Sequence, residues 1–261
     1  MSRVFITGSA DGLGLMLGRL LTEEHHEVVL HARNEQRAAS VRQSFPTAAG
    51  IVVGDVSTVE AMRSVAEDAA AHGPFDAVVH NVGIGFREPR RVETVDGLSH
   101  LWAVNVLAPY VLTALMPGVR RLVYLSSGMH LGAEDTDLRD ANWVKRRWNG
   151  AAAYSDSKFQ DVLLAFAIAR RWPHVSSNAV SPGWVATRMG GPGARDDLDQ
   201  AHRTQAWLVT SDAPEALATG QLLYHRAPGQ VHPDALDRER QDRLLRICAE
   251  ASGVPLPAGP Q

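Results

Sequence analysis

Val4-Phe5-Ile6, then Thr7-Gly8-Ser9-Ala10-Asp11-Gly12-Leu13-Gly14, then Leu15-Met16-Leu17-Gly18-Arg19-Leu20-Leu21 follow one another without a break. The first is a short β-rich run, the last carries leucines at helical spacing, and the glycine stretch between them is a turn. Glycines at 8, 12 and 14 let the backbone turn tightly and approach a pyrophosphate. The segment holding Ser9, Asp11 and Leu13 can then wrap phosphate oxygens whose charge rests on the helix N-terminus. A glycine turn is also what a plain strand-to-helix connection uses, so the rest of the chain must decide between the two.

Outward from that turn, strand-like runs recur at residues 27–31, 50–54, 75–80, 121–125 and 176–181. Helix-patterned segments stand between them at 58–71, 98–116 and 154–171. This alternation is the rhythm of an α/β fold, a doubly wound parallel sheet with helices on both faces, in which ligands bind beyond the carboxyl ends of the strands. Polar residues at those ends are therefore the candidates. Arg33 follows the second strand, where dinucleotide folds select their cofactor, and no carboxylate stands at that strand end. A guanidinium there grips a 2′-phosphate, which favours NADP(H) over NAD(H), with Glu35 and Asp11 near enough to soften the preference. Asp55-Val56 follows the third strand, where Asp55 is placed to bond an adenine amino group. Asn81 and Gly83 follow the fourth and can line the nucleotide's path. Each of these could as easily be a helix cap or a turn residue.

Further along, Asn105 sits among Val104, Val106 and Leu107 in an apolar helix, and a buried amide must find partners. Ser126-Ser127 close the strand at 121–125. Tyr154 and Lys158 are four residues apart at the opening of the next helix, so both side chains share one face. A phenol gives up its proton reluctantly at neutral pH; an ammonium beside it favours the phenolate and yields an acid suited to carbonyl reduction. A surface tyrosine and a solvated lysine on one helix would show the same spacing.

The 261 residues, 45% of them hydrophobic, suit one domain, expected over 1–253 with a tail at 254–261. A segment rich in Gly, Asp and Arg at about 188–212 reads as a cover over the site. Residues 128–152 form a polar, tryptophan-bearing stretch, long for a loop. A short helix at 213–218, a strand at 221–225 and a helix at 238–251 are expected to close the chain. The formal charge of −3 and the lack of a basic stripe give no footprint for nucleic acid. Cys248 is the single cysteine, so no disulfide within the chain and no cysteine-built metal site is expected. No apolar run nears the length of a membrane span, and the first strand starts where a signal peptide would sit, which predicts a cytoplasmic protein with no membrane partner. Met129, His130, Trp143, Trp148, Trp184, Met189 and Trp207 are candidates to line an apolar or aromatic pocket, although any one of them could be ordinary packing. The apolar helices at 98–116 and 154–171 are candidates to pair across a two-fold axis in a homodimer.

The glycine turn spaced G-x-x-x-G-x-G after Thr7, Asn81-Val82-Gly83, Asn105, Ser127 and Tyr154-x-x-x-Lys158 together resemble the short-chain dehydrogenase/reductase family, in the family's order over residues 1 to about 190. The resemblance implies a single-domain Rossmann fold of about seven parallel strands, a nicotinamide cofactor and a small carbonyl or alcohol substrate. It also implies a catalytic tetrad of Asn105, Ser127, Tyr154 and Lys158, with Pro182, Gly183, Val185 and Thr187 beside the nicotinamide half. Val82 departs from the alanine usual at its position. The long gap from Ser127 to Tyr154 is similar to that of the retinol-dehydrogenase-like and protochlorophyllide-reductase-like branches. The alternatives are a dinucleotide-binding sensor or scaffold without chemistry, and an epimerase or dehydratase on the same fold.

Overall fold

The computed structural model describes residues 1–259. Eight strands form one sheet in the order β3-β2-β1-β4-β5-β6-β7-β8. They are β1 Arg3–Ile6, β2 Glu27–Ala32, β3 Gly50–Val53, β4 Ala77–His80, β5 Arg121–Leu125, β6 Ser176–Val180, β7 Leu222–Tyr224 and β8 Ala227–Pro228. The pairings through β7 are parallel; the two-residue β8 returns antiparallel on the edge, beyond the expected set. Its Pro228 has no N–H to offer a further strand, which suits an edge.

The strands alternate strictly between two cores. Phe5, Val29, Val78, Leu122 and Tyr124 enter one; Val4, Ile6, Val28, Leu30, Val79, Val123 and Leu125 enter the other. A side-chain period of two, apolar at both phases, is what a sheet covered on both faces demands. The helices supplying that cover are α1 Gly12–Glu23, α2 Glu35–Ser44, α3 Val59–Ala70, α4 His100–Trp102, α5 Ala108–Leu115, α6 Gly150–Arg171, α7 Arg203–Thr210, α8 Pro214–Leu217 and α9 Arg238–Ser252.

Several sequence expectations are corrected. The apolar run at 98–116 is not one regular helix: Ala103–Leu107 is a π-helical turn between α4 and α5, with Asn105 in its middle. Helix α2 was not legible, since its polar sequence buries only Ala38 and Val41. The expected cover at 188–212 is irregular only in its first part; α7 occupies 203–210, with Ala206, Leu208 and Val209 in the core. The tail is docked: Val254 is buried, Tyr110 Oη donates to its carbonyl at 2.9 Å, and Trp172 Nε1 donates to Pro257 O at 3.1 Å. Residues 260–261 of that expected tail lie outside the described residues. Finally, α5 and α6 offer no free apolar face for a two-fold pairing. Every residue from Ala152 to Ala169 is buried, covered in part by α9 of the same chain.

The order of strands reverses between β1 and β4, and that switch point opens the cleft outside their carboxyl ends. The glycine turn leaves β1 there, and Asn81-Val82-Gly83 leaves β4 beside it.

Candidate active site

The glycine turn is held from three sides. A Cβ on Gly8 (φ +60°) would lie 2.7 Å from Val82 Cα, and one on Gly14 would lie 2.6 Å from Asn81 Nδ2 and 2.8 Å from Ser9 Cα. Asn81 Nδ2 donates to Thr7 O at 3.0 Å and Gly8 O at 2.9 Å, so this amide nitrogen locks the turn. Ser9 is fully buried; its hydroxyl donates to Ile6 O at 2.7 Å and accepts from His31 N at 2.8 Å. His31, unremarked in the sequence reading, accepts from Gly8 N at 3.0 Å through Nδ1 and lies 2.8 Å from Gly54 O through Nε2. These partners fix the proton on Nε2. Burial lowers this imidazole's pKa, which keeps it neutral and able to accept.

Gly12 differs from its neighbours: at φ +55° a Cβ there meets nothing within 4 Å. Asp11, at the N-cap of α1, makes no side-chain cap bond, so the helix's leading N–H groups keep no carboxylate of their own. The Asp11 carboxylate instead accepts from Arg37 at 2.6 Å and pairs with Arg188 at 3.3 Å. These residues fit a dinucleotide: a turn closed toward the protein, open at Gly12 and Leu13, with unclaimed donors at a helix N-terminus. Arg33 is exposed beside it, and Glu35 is engaged by Arg42 at 3.1 Å. Asp55 Oδ1 accepts from Ser57 N at 2.8 Å, a turn bond, while Val56 is buried.

Tyr154 lies in the second turn of α6, which begins at Gly150 under an Asn149 cap, earlier than the sequence suggested. Lys158 follows one turn later, with its Nζ 5.7 Å from the Tyr154 ring centroid. That ammonium donates to Leu125 O, at the end of β5, and to Asp161 Oδ2, each at 2.8 Å. Ser126 Oγ donates to Lys158 O at 2.7 Å, tying the same strand end to α6. A Cβ on Gly83 would stand 3.8 Å from Lys158 Nζ and 3.6 Å from Asn105 Oδ1, ordinary contact distances, so this position lies where the two side chains gather. Asn105 accepts from Ile84 N at 2.8 Å and donates to Ile84 O at 3.0 Å and Ser157 Oγ at 3.1 Å, clamping the segment after β4. Ser127, half-buried beyond β5, accepts from Met129 N at 3.2 Å and caps the 3-10 turn Gly128–Gly132. His130 fixes that turn, with Nδ1 2.7 Å from Ser127 O and Nε2 accepting from His232 N at 3.3 Å.

Burial would pull the Lys158 ammonium down; the Asp161 carboxylate, with Tyr154 adding to it, more than offsets that and holds its pKa above the ordinary value. Asp161 was missed in the sequence. Its signal was a carboxylate three residues beyond the lysine, inside the run Val162-Leu163-Leu164-Ala165-Phe166.

The pocket candidates divide. Tyr154 shares a cluster with Trp143, Trp148, Phe86, Ile84, Leu101 and Met189. Phe86 meets the Tyr154 ring edge-on at 5.9 Å, and Tyr154 Oη points to Met189 Sδ at 3.7 Å. Trp207 packs in the other core, across the sheet, and is not part of this pocket. Trp184 is half exposed, its backbone N–H donating to Asp196 Oδ2 at 2.6 Å and its indole Nε1 to Gly190 O at 3.0 Å. Gly183 has φ +86°, and a Cβ there would meet the same carboxylate at 2.6 Å, which fixes the turn after Pro182. Val185 is buried and pairs with Asp196; Thr187 Oγ1 accepts from Gly190 N at 3.2 Å. The polar stretch before α6 is anchored by buried Asp156, which accepts from Glu134 N and Arg146 Nη2, each at 2.7 Å.

An α/β sheet with a dinucleotide-shaped turn at its switch point and a tyrosine–lysine helix face at the neighbouring strand end defines a nucleotide-dependent oxidoreductase. Residues 2–121 match the family model for short chain dehydrogenase. The chain is 41% identical to an uncharacterised oxidoreductase of Emericella nidulans, covering 99% of this chain and 100% of that one. It is 37% identical, over the same shares, to the short-chain dehydrogenase chyC of Penicillium rubens. An uncharacterised Mycobacterium paratuberculosis protein of known crystal structure superposes with a TM-score of 0.81 at 24% identity, covering 98% of this chain and 95% of that one. The chain belongs to the short-chain dehydrogenase/reductase family. Among the described residues no helix is long and apolar enough to cross a membrane.

Proposed function

We propose that this protein interconverts a carbonyl and a secondary alcohol with NADP(H), using Tyr154 as proton donor and acceptor. The observation that carries this reading is the buried Lys158 one turn from Tyr154, its ammonium gathered with Gly83 and Asn105 at the ends of β4 and β5, on the β4 side of the glycine turn. When bound, the nicotinamide supplies or takes the hydride. Tyr154 gives its phenolic proton to the carbonyl oxygen in reduction and recovers it in oxidation. Lys158 stabilises the tyrosinate left behind and holds the nicotinamide ribose. Ser127 donates to the carbonyl oxygen and orients it, so part of the rate comes from positioning. Asn105 fixes the backbone beside Lys158 and holds a water leading from it to solvent. Pro182, Gly183, Val185 and Thr187 frame the nicotinamide half, and Met189 is displaced from the Tyr154 hydroxyl as substrate enters.

The preference for NADP(H) is supported by the exposed Arg33 and by the engagement of both nearby carboxylates, Asp11 with Arg37 and Glu35 with Arg42. The substrate is a small molecule with an apolar or aromatic flank, suited to Phe86, Trp148 and Met189, and the cytoplasm is the proposed location. The test is NADPH consumption with a panel of aryl and alicyclic ketones, comparing the parent with Tyr154→Phe. Turnover abolished in the variant while NADPH binding persists supports the reading. Turnover retained by the variant removes Tyr154 from its role, and binding without consumption in the parent leaves a dinucleotide sensor instead.

A further inference from the structure

We infer that Asp161 is a positioning residue that keeps Lys158 charged and aimed at the strand end, so that the helix presents a fixed ammonium to Tyr154. This rests on the proposed role of Tyr154 and Lys158 and adds a residue to it. Both partners are almost wholly buried, 5% and 2% exposed at the side chain, and meet at 2.8 Å. Among the described residues, neither has another ion-pair partner within 4 Å. Asp161 Oδ1 is buried with no hydrogen-bond partner. A pair buried this way is a poor stabiliser, since apolar residues of similar volume serve a core as well or better. Its presence in the middle of α6 therefore calls for a reason other than packing.

The geometry supplies one. Lys158 Nζ has three protons; Leu125 O takes one and Asp161 Oδ2 another, so the ammonium is fixed in direction and one donor remains. The carboxylate lies one turn further along α6 than the ammonium. The pair is therefore a dipole whose positive end faces Tyr154. The other titratable groups around Asp161 are acids: Tyr124 on β5 and Cys248 on α9, both held protonated mainly by burial, with the Asp161 charge adding to it. Behind Tyr124, Thr113 Oγ1 contacts its hydroxyl at 2.7 Å and His80 Nε2 at 3.0 Å, and burial keeps that imidazole neutral. Among the described residues no second cation lies within 4 Å of Asp161 to take over from Lys158. Without Asp161 the larger of the two influences that oppose burial is gone, only Tyr154 remains against it, and burial favours the neutral amine.

The chain makes the test direct, because it contains two lysines, Lys145 and Lys158. Lys145 is exposed and serves as the internal reference. Lysine labelled with carbon-13 at Cε gives two resonances, which Lys145→Arg assigns, and each is titrated in the cofactor-free protein. In the parent, Lys158 should remain an ammonium to pH 10 or beyond. In Asp161→Asn, which keeps the size and one acceptor, its midpoint should fall by about 2 units or more. The pH profile of kcat/KM should then lose its alkaline side and recover toward the parent near pH 7, still above the value of about 6 to which burial pushes the Asp161 carboxyl. The proposal is overturned if Lys158 is already neutral at pH 7 in the parent, a measurement that needs no variant to fold. It is also overturned if the variant loses thermal stability alone while the midpoint stays in place. Should the parent consume no NADPH with any carbonyl although the lysine midpoints differ as stated, it is the proposed function that fails.

Discussion

Two alanine substitutions in the glycine turn separate packing from ligand contact. Gly14→Ala forces a Cβ to within 2.6 Å of Asn81 Nδ2, 2.8 Å of Ser9 Cα and 2.9 Å of Gly8 O. Two of those three contacts are backbone and cannot swing aside. Overpacking of this kind costs roughly 1–3 kcal/mol. Displacing Asn81 also loses its bonds to Thr7 and Gly8, worth about 1 kcal/mol each. Alanine's helix propensity returns at most about 1 kcal/mol, so the net loss should be about 2–4 kcal/mol. Gly12→Ala meets nothing on the protein side and suffers only the left-handed backbone, about 1–2 kcal/mol. On the proposed function its methyl group enters the space expected for the pyrophosphate. Urea unfolding with and without NADPH measures both effects. At a hundredfold excess over Kd the cofactor should stabilise the parent by about 2.7 kcal/mol. In Gly12→Ala that increment should fall below about 1 kcal/mol although the cofactor-free protein is weakened less than in Gly14→Ala. Equal cofactor-free losses in the two variants, or a full NADPH increment in Gly12→Ala, would refute the account of the turn.

Other outcomes follow from the same geometry. Asp156→Ala removes the acceptor of Glu134 N and leaves Arg146 without its closest carboxylate, so the urea midpoint should fall by an amount equivalent to about 3 kcal/mol. Arg33→Ala should lower kcat/KM for NADPH by about tenfold while changing that for NADH little, as expected for one lost charge-assisted contact to a 2′-phosphate. Met189→Ala uncovers the Tyr154 hydroxyl and should lower KM for a bulky ketone by roughly threefold, in line with a weak sulfur contact. His80, held down at about 3 by burial, lies below its unfolded value. Its contribution to stability is therefore complete above pH 6.5 and declines as pH falls toward 3, by at most about 1.4 kcal/mol per pH unit. Urea midpoints between pH 7 and 4 should show a shallower decline in His80→Gln.

The alternation of strands and helices and the shared face of Tyr154 and Lys158 were readable because they rest on local rules. A two-residue period, apolar at both phases, announces a doubly covered strand; a glycine series between strand and helix announces a tight turn; Tyr154 and Lys158 declare a shared face through spacing alone. What escaped depends on partners distant in the chain. Asn81 looked ready for a nucleotide, yet its amide closes on Thr7 and Gly8 across the switch point. His31 read as a strand residue, and only the fold brings its ring against the Gly8 amide. The polar sequence of α2 hid a helix that touches the core through two side chains, and the charged start of the 188–212 segment hid the buried α7 behind it. Asp161 was concealed differently: the apolar residues after it suggested ordinary packing, and a carboxylate in such company draws notice only once Lys158 is known to be beside it.

The docking of α9 and of the segment through Pro257 onto the helix that bears Tyr154 has a consequence for how the protein behaves at low abundance. A cover supplied by another molecule comes off on dilution, because its association obeys mass action. Here the cover is joined covalently to what it shields, so the surroundings of the reactive helix stay intact however few copies a cell holds.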